Sequence, residues 1–219
     1  MTATVMVTSW YIWWSRRQIK NKEPVPTPER SVVNIKGIIA NYSKLKDTGN
    51  MARKDGWKKP ATGVLKLNVD ASFLPDTGTG SIGSIIRDAG GNFVAACCDS
   101  NAHAIDVASM EALALLAGLK LVEQIGGQSV IVESDSMEVV QAILNPSEYR
   151  GTGAVIIDDC RQLIATLGKA TIHHCPREAN GAAHALARYG ANQDSGVFWF
   201  VDPPDFLISI LVDDRIIIQ

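Results

Sequence analysis

Cysteine is scarce in this 219-residue chain, and the four present, Cys97, Cys98, Cys160 and Cys175, form neither a CxxC pair nor a regular framework. That spacing excludes a zinc ribbon and a disulfide-stapled scaffold, and it leads to the expectation of reduced, mostly buried thiols in an intracellular protein. Long apolar runs are missing as well. No stretch approaches the roughly 20 residues that a membrane-spanning helix needs, so no membrane partner is expected. The opening MTATVMVTSWYIWW carries no basic residue ahead of its apolar part and no small-residue cleavage site. It therefore reads poorly as a signal peptide, and secretion is not expected, although nothing separates nucleus from cytoplasm. Internal repeats and low-complexity tracts are absent too, which excludes solenoid and propeller architectures.

What is present suits one domain with extensions. A chain of this length with 46% hydrophobic residues can bury one core of ordinary size. The net charge of −2 hides an uneven distribution: residues 1–60 hold 12 Lys+Arg against 4 Asp+Glu, leaving 9 against 19 for the remainder. A basic arm thus precedes an acidic body. Such an arm either holds phosphates through counterion release or is merely soluble and poorly ordered, whereas an acidic body repels phosphates except where metal ions bridge the charges.

The arm divides into two short predicted helices and a linker. Residues 10–22 place Trp10, Trp13, Trp14 and Arg17 at helical spacing before Pro24, Pro26 and Pro28, and a second helix runs from Pro28 to about residue 42. KLKDTGNMARKDGWKKP then reads as a flexible linker ending at Pro60. From Val64 the chain alternates, with Leu65, Leu67 and Val69 on one face and Lys66, Asn68 and Asp70 on the other. This is the period of a half-buried strand with Asp70 at its polar end. The turns PDTGTG and DAGGN separate SIGSIIRD and FVAACCD, giving an antiparallel three-strand meander.

The period then changes. Residues 107–125 set Met110, Leu113, Ala114, Ala117 and Leu121 along one helical stripe, ending at Gly126 and Gly127. SVIVESD follows as a buried central strand, SMEVVQAIL as a short helix, residues 153–167 as another, ATIHHCP as a fifth strand and residues 179–189 as a last helix. A meander followed by strands separated by helices implies a mixed five-stranded α/β sheet flanked by helices. The domain boundaries are expected at 61 and 191. Beyond them, residues 192–219 form an apolar extension that adds a strand or packs as a tail.

Three acids sit at junctions of these elements: Asp70 ends the first strand, Glu111 lies early in the long helix, and Asp135 follows the central strand. Each has a purely structural explanation. Asp70 suits a turn, Glu111 suits the positive end of a helix dipole, and Asp135 with Glu138 has the spacing of a capping box. Their joint order is more specific. The segments KLNVDAS, ASMEALALLAGL, VIVESDS and CPREANGAAHALAR, spread over about 130 residues, resemble the ribonuclease H family. More narrowly, the chain is similar to the plant reverse-transcriptase-like branch derived from retroelements, and WYIWWSRRQ resembles the stretch found upstream of such domains.

The resemblance implies a ribonuclease H-like fold and a site in which Asp70, Glu111 and Asp135 hold two divalent ions. It further implies Mg²⁺ as cofactor and an RNA/DNA hybrid as the nucleic-acid partner, with cleavage of the RNA strand by a monomer that uses no small-molecule cofactor. Hard cations prefer carboxylate oxygens, lower the pKa of an attacking water and stabilise a leaving 3′ oxygen. The family places a fourth carboxylate four residues after the Asn of its motif. Here that Asn is Asn180 and the matching residue is His184, a weak ligand for magnesium and an acceptable one for manganese. The mobile loop histidine of active relatives corresponds to His174, which follows His173 inside a predicted strand.

Hybrid recognition in the family uses backbone and small polar groups on RNA 2′-hydroxyls and aromatic and basic groups on the DNA strand. Asn68, Ser72, Arg177 and Asn180 are the substrate-binding candidates by position, with Trp57, Lys58 and Lys59 just outside the domain. NPSEYRGTG is short and lacks a basic extension, so the isolated domain is expected to bind weakly. Two functions follow as expectations: a metal-dependent endonuclease acting on hybrids, or a catalytically weak binding module retained from a retroelement. Exonuclease-type relatives would show acids spaced two apart on the first strand, where this chain has Asn68 and Asp70. Sugar-kinase-like ATPases would need glycine loops in two similar halves.

Overall fold

The computed structural model describes residues 3–20, 25–47, 56–101, 103–145 and 149–216. The chain falls into two compact units, residues 1–54 and 55–219. In the first, helices α1 (Ala3–Lys20) and α2 (Pro28–Asp47) pack on one another, and Asn34 of α2 donates to the Tyr11 hydroxyl of α1 (2.9 Å). Both helices are longer than expected. Of the predicted linker, residues 44–47 belong to α2 and residues 48–55 lie outside the described residues. Among the described residues, no helix is long and apolar enough to cross a membrane.

The second unit is built on a sheet. Its strands are β1 (Leu65–Leu74), β2 (Thr79–Arg87), β3 (Phe93–Asn101), β4 (Ser129–Ser134), β5 (Lys169–His174) and β6 (Val197–Phe200). They lie in the order β5-β4-β1-β2-β3-β6. β1, β2, β3 and β6 are antiparallel neighbours, whereas β4 runs parallel to both β1 and β5. The expected five strands are therefore six. The extension after residue 191 joins the sheet through β6 and continues as helix α7 (Asp205–Ile216), so the compact unit does not end at 191. A four-residue VFWF alternation is too short to declare a strand from pattern alone, and its pairing with β3 supplies the missing signal.

Helices α3 (Val107–Gln124), α4 (Met137–Leu144) and α5 (Ala154–Thr166) cover one face. Their core joins Leu67, Val69, Leu115, Leu119, Val132, Val140 and Ile157. Helix α6 (Gly181–Gly190) and α7 cover the other, with Ile85, Ala96, Leu186, Leu207 and Leu211 buried together. Two glycines set how closely helices reach the strands. A Cβ at Gly118 of α3 would lie 2.9 Å from Leu67 Cδ1, and one at Gly83 of β2 would lie 2.3 Å from the Ala187 backbone nitrogen. Gly83 pairs directly with Asp70. Its missing side chain thus lets the α6 backbone settle onto the sheet beside that acid.

Two local expectations change. Asp70 lies within β1 rather than at its end, because pairing with β4 stops at Val69↔Ser134 while pairing with β2 continues to Leu74↔Thr79. Asp135 does not cap α4. Ser136 takes that role, accepting from the Val139 N–H at 3.4 Å, and the reciprocal capping box of this domain is Asp106 with Ser109 at the start of α3.

Candidate metal centre

The site forms where the parallel ladder between β1 and β4 gives out. β1 carries Asp70 one residue past the last pair, and the chain leaves β4 at Ser134 and presents Asp135 next. Glu111 enters from the second turn of α3, whose start is fixed by the Asp106 side chain accepting the Ser109 N–H at 2.7 Å. One ligand oxygen from each acid falls within 4.8 Å of the others. Asp70 and Glu111 are buried.

The surroundings compensate these charges only in part. Asn180, buried at the head of α6, donates through Nδ2 to Asp135 Oδ1 (3.0 Å) and to the Val69 carbonyl (2.8 Å), tying the acid to the β1 backbone. Arg177, its side chain 85% exposed, reaches Asp135 Oδ2 at 3.4 Å. His184 Nδ1 lies 2.9 Å from Asp70 Oδ2, and its ring is about half exposed. Glu111 Oε2 is buried with no hydrogen-bond partner. Burial, and then the negative charge of Asp135, push the Asp70 carboxyl up to about 7 against the pull of His184. Burial, followed by the charges of Asp70 and Asp135, pushes Glu111 up to about 8, with the Ala71 N–H and Arg177 opposing. A cavity of about 360 Å³ opens beside the cluster, lined by Glu111, Asp135, Ser136, His174 and Arg177 among others.

Two buried carboxylates and a partly buried third around one small volume, with one Glu111 oxygen lacking a hydrogen-bond partner, form a donor set that suits a hard divalent cation. Without a cation the three acids repel one another, and this repulsion adds to burial, the larger cause, in raising both values.

The remaining predicted residues separate into two groups. Asn180, Arg177 and His184 join the acids. Ser72 is partly buried on β1 beside Ser81, whose hydroxyl donates to it at 3.3 Å, and His174 stands exposed at the end of β5 on the cavity wall. Asn68 does not reach the surface: it is 0% exposed, which rules out substrate contact in this fold. Its carboxamide oxygen accepts from Trp57 Nε1 (2.9 Å) and Arg87 Nη2 (3.0 Å), and its nitrogen donates to Glu133 Oε2 (3.1 Å). Trp57 is likewise buried at 1% exposure, while Lys58 and Lys59 stay exposed. Sequence reasoning missed the rest of this network. Lys66 pairs with Glu133, Arg87 pairs with Asp214 of α7 (2.6 Å), and the Arg87 guanidinium stacks 3.7 Å from the Trp57 ring centre.

The fold and this cluster define a ribonuclease H-like α/β domain. Residues 68–190, more than half of the chain, match the reverse transcriptase-like family, and the chain belongs to it. A protein of Arabidopsis thaliana named for ribonuclease H is 26% identical over 167 residues, which is 75% of this chain. The alignment spans about a quarter (26%) of that protein's length. Among solved structures, the ribonuclease H1 of Halobacterium salinarum is 21% identical and superposes with a TM-score of 0.55, covering 58% of this chain and 96% of that one. The N-terminal ribonuclease H domain of a Mycobacterium tuberculosis protein is 18% identical, with a TM-score of 0.55 over 59% and 94%. LC11 ribonuclease H1, solved in complex with an RNA/DNA hybrid, is 19% identical, with a TM-score of 0.53 over 58% and 96%. These structures share the fold.

Proposed function

We propose that the chain is a divalent-metal-dependent endonuclease that hydrolyses the RNA strand of RNA/DNA hybrids. The observation that carries this reading is the convergence of Asp70, Glu111 and Asp135, with ligand oxygens within 4.8 Å of one another and too little counter-charge around them. These three residues would hold the cation. A bound divalent ion supplies charge stabilisation for the scissile phosphate and an acidified water. Asn180 holds Asp135 in register with β1, and His184 orients Asp70 through its Oδ2. Arg177, exposed beside Asp135, is placed to meet a backbone phosphate, and His174 stands across the cavity where a product end would leave. Mg²⁺ suits the three carboxylates, and the imidazole of His184 shifts the preference toward Mn²⁺. The exposed Arg16, Lys20, Arg30 and Lys36 of α1 and α2 support a role for the basic arm in holding nucleic acid.

His184 also favours a second reading, a module that binds hybrids with weak or no turnover, since it replaces a carboxylate by a group that brings no negative charge. Incubation of the full chain with a labelled hybrid, duplex RNA and duplex DNA under Mg²⁺ and then Mn²⁺ tests both. Cleavage of the hybrid's RNA strand that vanishes in Asp70→Asn supports the enzyme. Retained hybrid binding without cleavage under either ion, unchanged in Asp70→Asn, supports the module.

A further inference from the structure

We propose that the outer edge of β6 is a docking site for an extended peptide strand with alternating apolar residues and basic flanks. β6 ends the sheet beyond β3, so its outer backbone groups have no partner strand among the described residues. On one face Val197 and Trp199 pack into the core with α6 and α7, and Trp199 meets Tyr189 edge-on at 5.7 Å. The opposite face is open. Phe198 and Phe200 are 56% and 42% exposed, and Val201 immediately after them is 58% exposed. Edge strands of soluble proteins are ordinarily blunted by a lysine, a proline or a bulge. VFWF carries none of these within the strand.

The backbone next to this edge is strained. Val201 has φ of 72°, and the Asp202 N–H bonds to the Phe200 carbonyl at 2.8 Å, closing a γ-turn of the rare class on a β-branched residue. Strain of this kind, kept at an exposed apolar position, marks a surface shaped for contact rather than for solvent.

Charge decides the occupant. Exposed Asp194 precedes β6, exposed Asp205 follows it, and the exposed Asp99 carboxylate lies 3.3 Å from where a Cβ on Gly196 would stand. Antiparallel pairing of two β6 strands from two copies would bring the acidic start of one against the acidic end of the other, a repulsive arrangement. A strand flanked by Lys or Arg meets attraction at both ends, with backbone hydrogen bonds supplying affinity and the two phenylalanines a place for its alternate side chains.

The test uses the full chain and two synthetic peptides with the same valine/threonine alternation, one flanked by lysine pairs and one by glutamate pairs. Fluorescence anisotropy should show binding of the lysine-flanked peptide, at least about tenfold weaker binding of its glutamate twin, and slowed amide exchange at residues 197–200. Phe198→Lys/Phe200→Lys should lose the binding at unchanged circular dichroism, and Asp194→Lys/Asp205→Lys should reverse the flank preference without touching the strand. Equal binding of both peptides, binding that survives the phenylalanine replacements, or no binding overturns the proposal. So does a concentration-dependent dimer abolished by the same replacements, which would assign the edge to a second copy.

Discussion

Two sets of buried charge lie along the same stretch of β1 and β4, and they are built in opposite ways. At the level of Lys66, Asn68 and Glu133, each charge has a partner: Lys66 faces Glu133, Arg87 faces Asp214, and Asn68 joins Glu133, Arg87 and the Trp57 indole N–H. One step along, at Asp70 and Asp135, three acids meet with only a half-exposed imidazole and an exposed guanidinium near them. Burial penalises both sets, but only the first is offset from within. The second holds an unmet demand for positive charge, and this is the physical difference between a buried network that fixes a fold and one that awaits a ligand.

Breaking the second set should have the largest effect. Asp70→Asn should lower hybrid cleavage by about 10³-fold or more, as loss of several kcal/mol of metal-borne stabilisation would do, while the thermal midpoint of the metal-free protein rises or holds. In the first set the sign reverses. Asp214→Leu leaves Arg87 buried without its counter-charge and should cost about 3–5 kcal/mol in denaturant unfolding, much of which the double replacement Arg87→Met/Asp214→Leu restores.

A smaller effect should appear in pH dependence. Asp70 and Glu111 have folded values near 7 and 8, above their ordinary 3.8 and 4.5. The folded chain therefore keeps protons that the unfolded chain has released, and the metal-free protein should lose stability as pH rises from about 4 to about 8. Thermal melts across that window should show the fall, and millimolar Mg²⁺ or Mn²⁺ should flatten it. The smallest effect belongs to the cap: Ser136→Ala should cost about 1 kcal/mol in the same unfolding assay, with metal binding kept, because Asp135 does not serve as the α4 cap.

The contrast between the two sets also explains what could be read before the structure. Local pattern marks Asp70, Glu111 and Asp135 as acids near the ends of predicted elements, although Asp70 lies within β1, and their joint order suggests that they meet. Lys66 and Asn68 share the polar side of the same alternation, which reads as a solvent face. They are buried against Trp57 and Arg87, and the Arg87 partner Asp214 is 127 residues away. No local spacing carries that information. The capping reading of Asp135 failed for the opposite reason: the spacing to Glu138 is right, but Ser136, one residue later, takes the helix N-terminus and leaves Asp135 free to face Asp70. Gly83 gives no signal of its own until its pairing with Asp70 and its contact with the α6 backbone are seen together.

The most direct test of the cation-binding cluster is calorimetric titration of Mn²⁺ into the metal-free full chain at pH 7, repeated in two buffers of different ionisation enthalpy. Because Asp70 and Glu111 are partly protonated there, binding should occur, release protons, and disappear in both Asp70→Asn and Glu111→Gln. Absence of binding by the unaltered chain at millimolar Mn²⁺, or binding by either variant as tight as that of the unaltered chain, would contradict it.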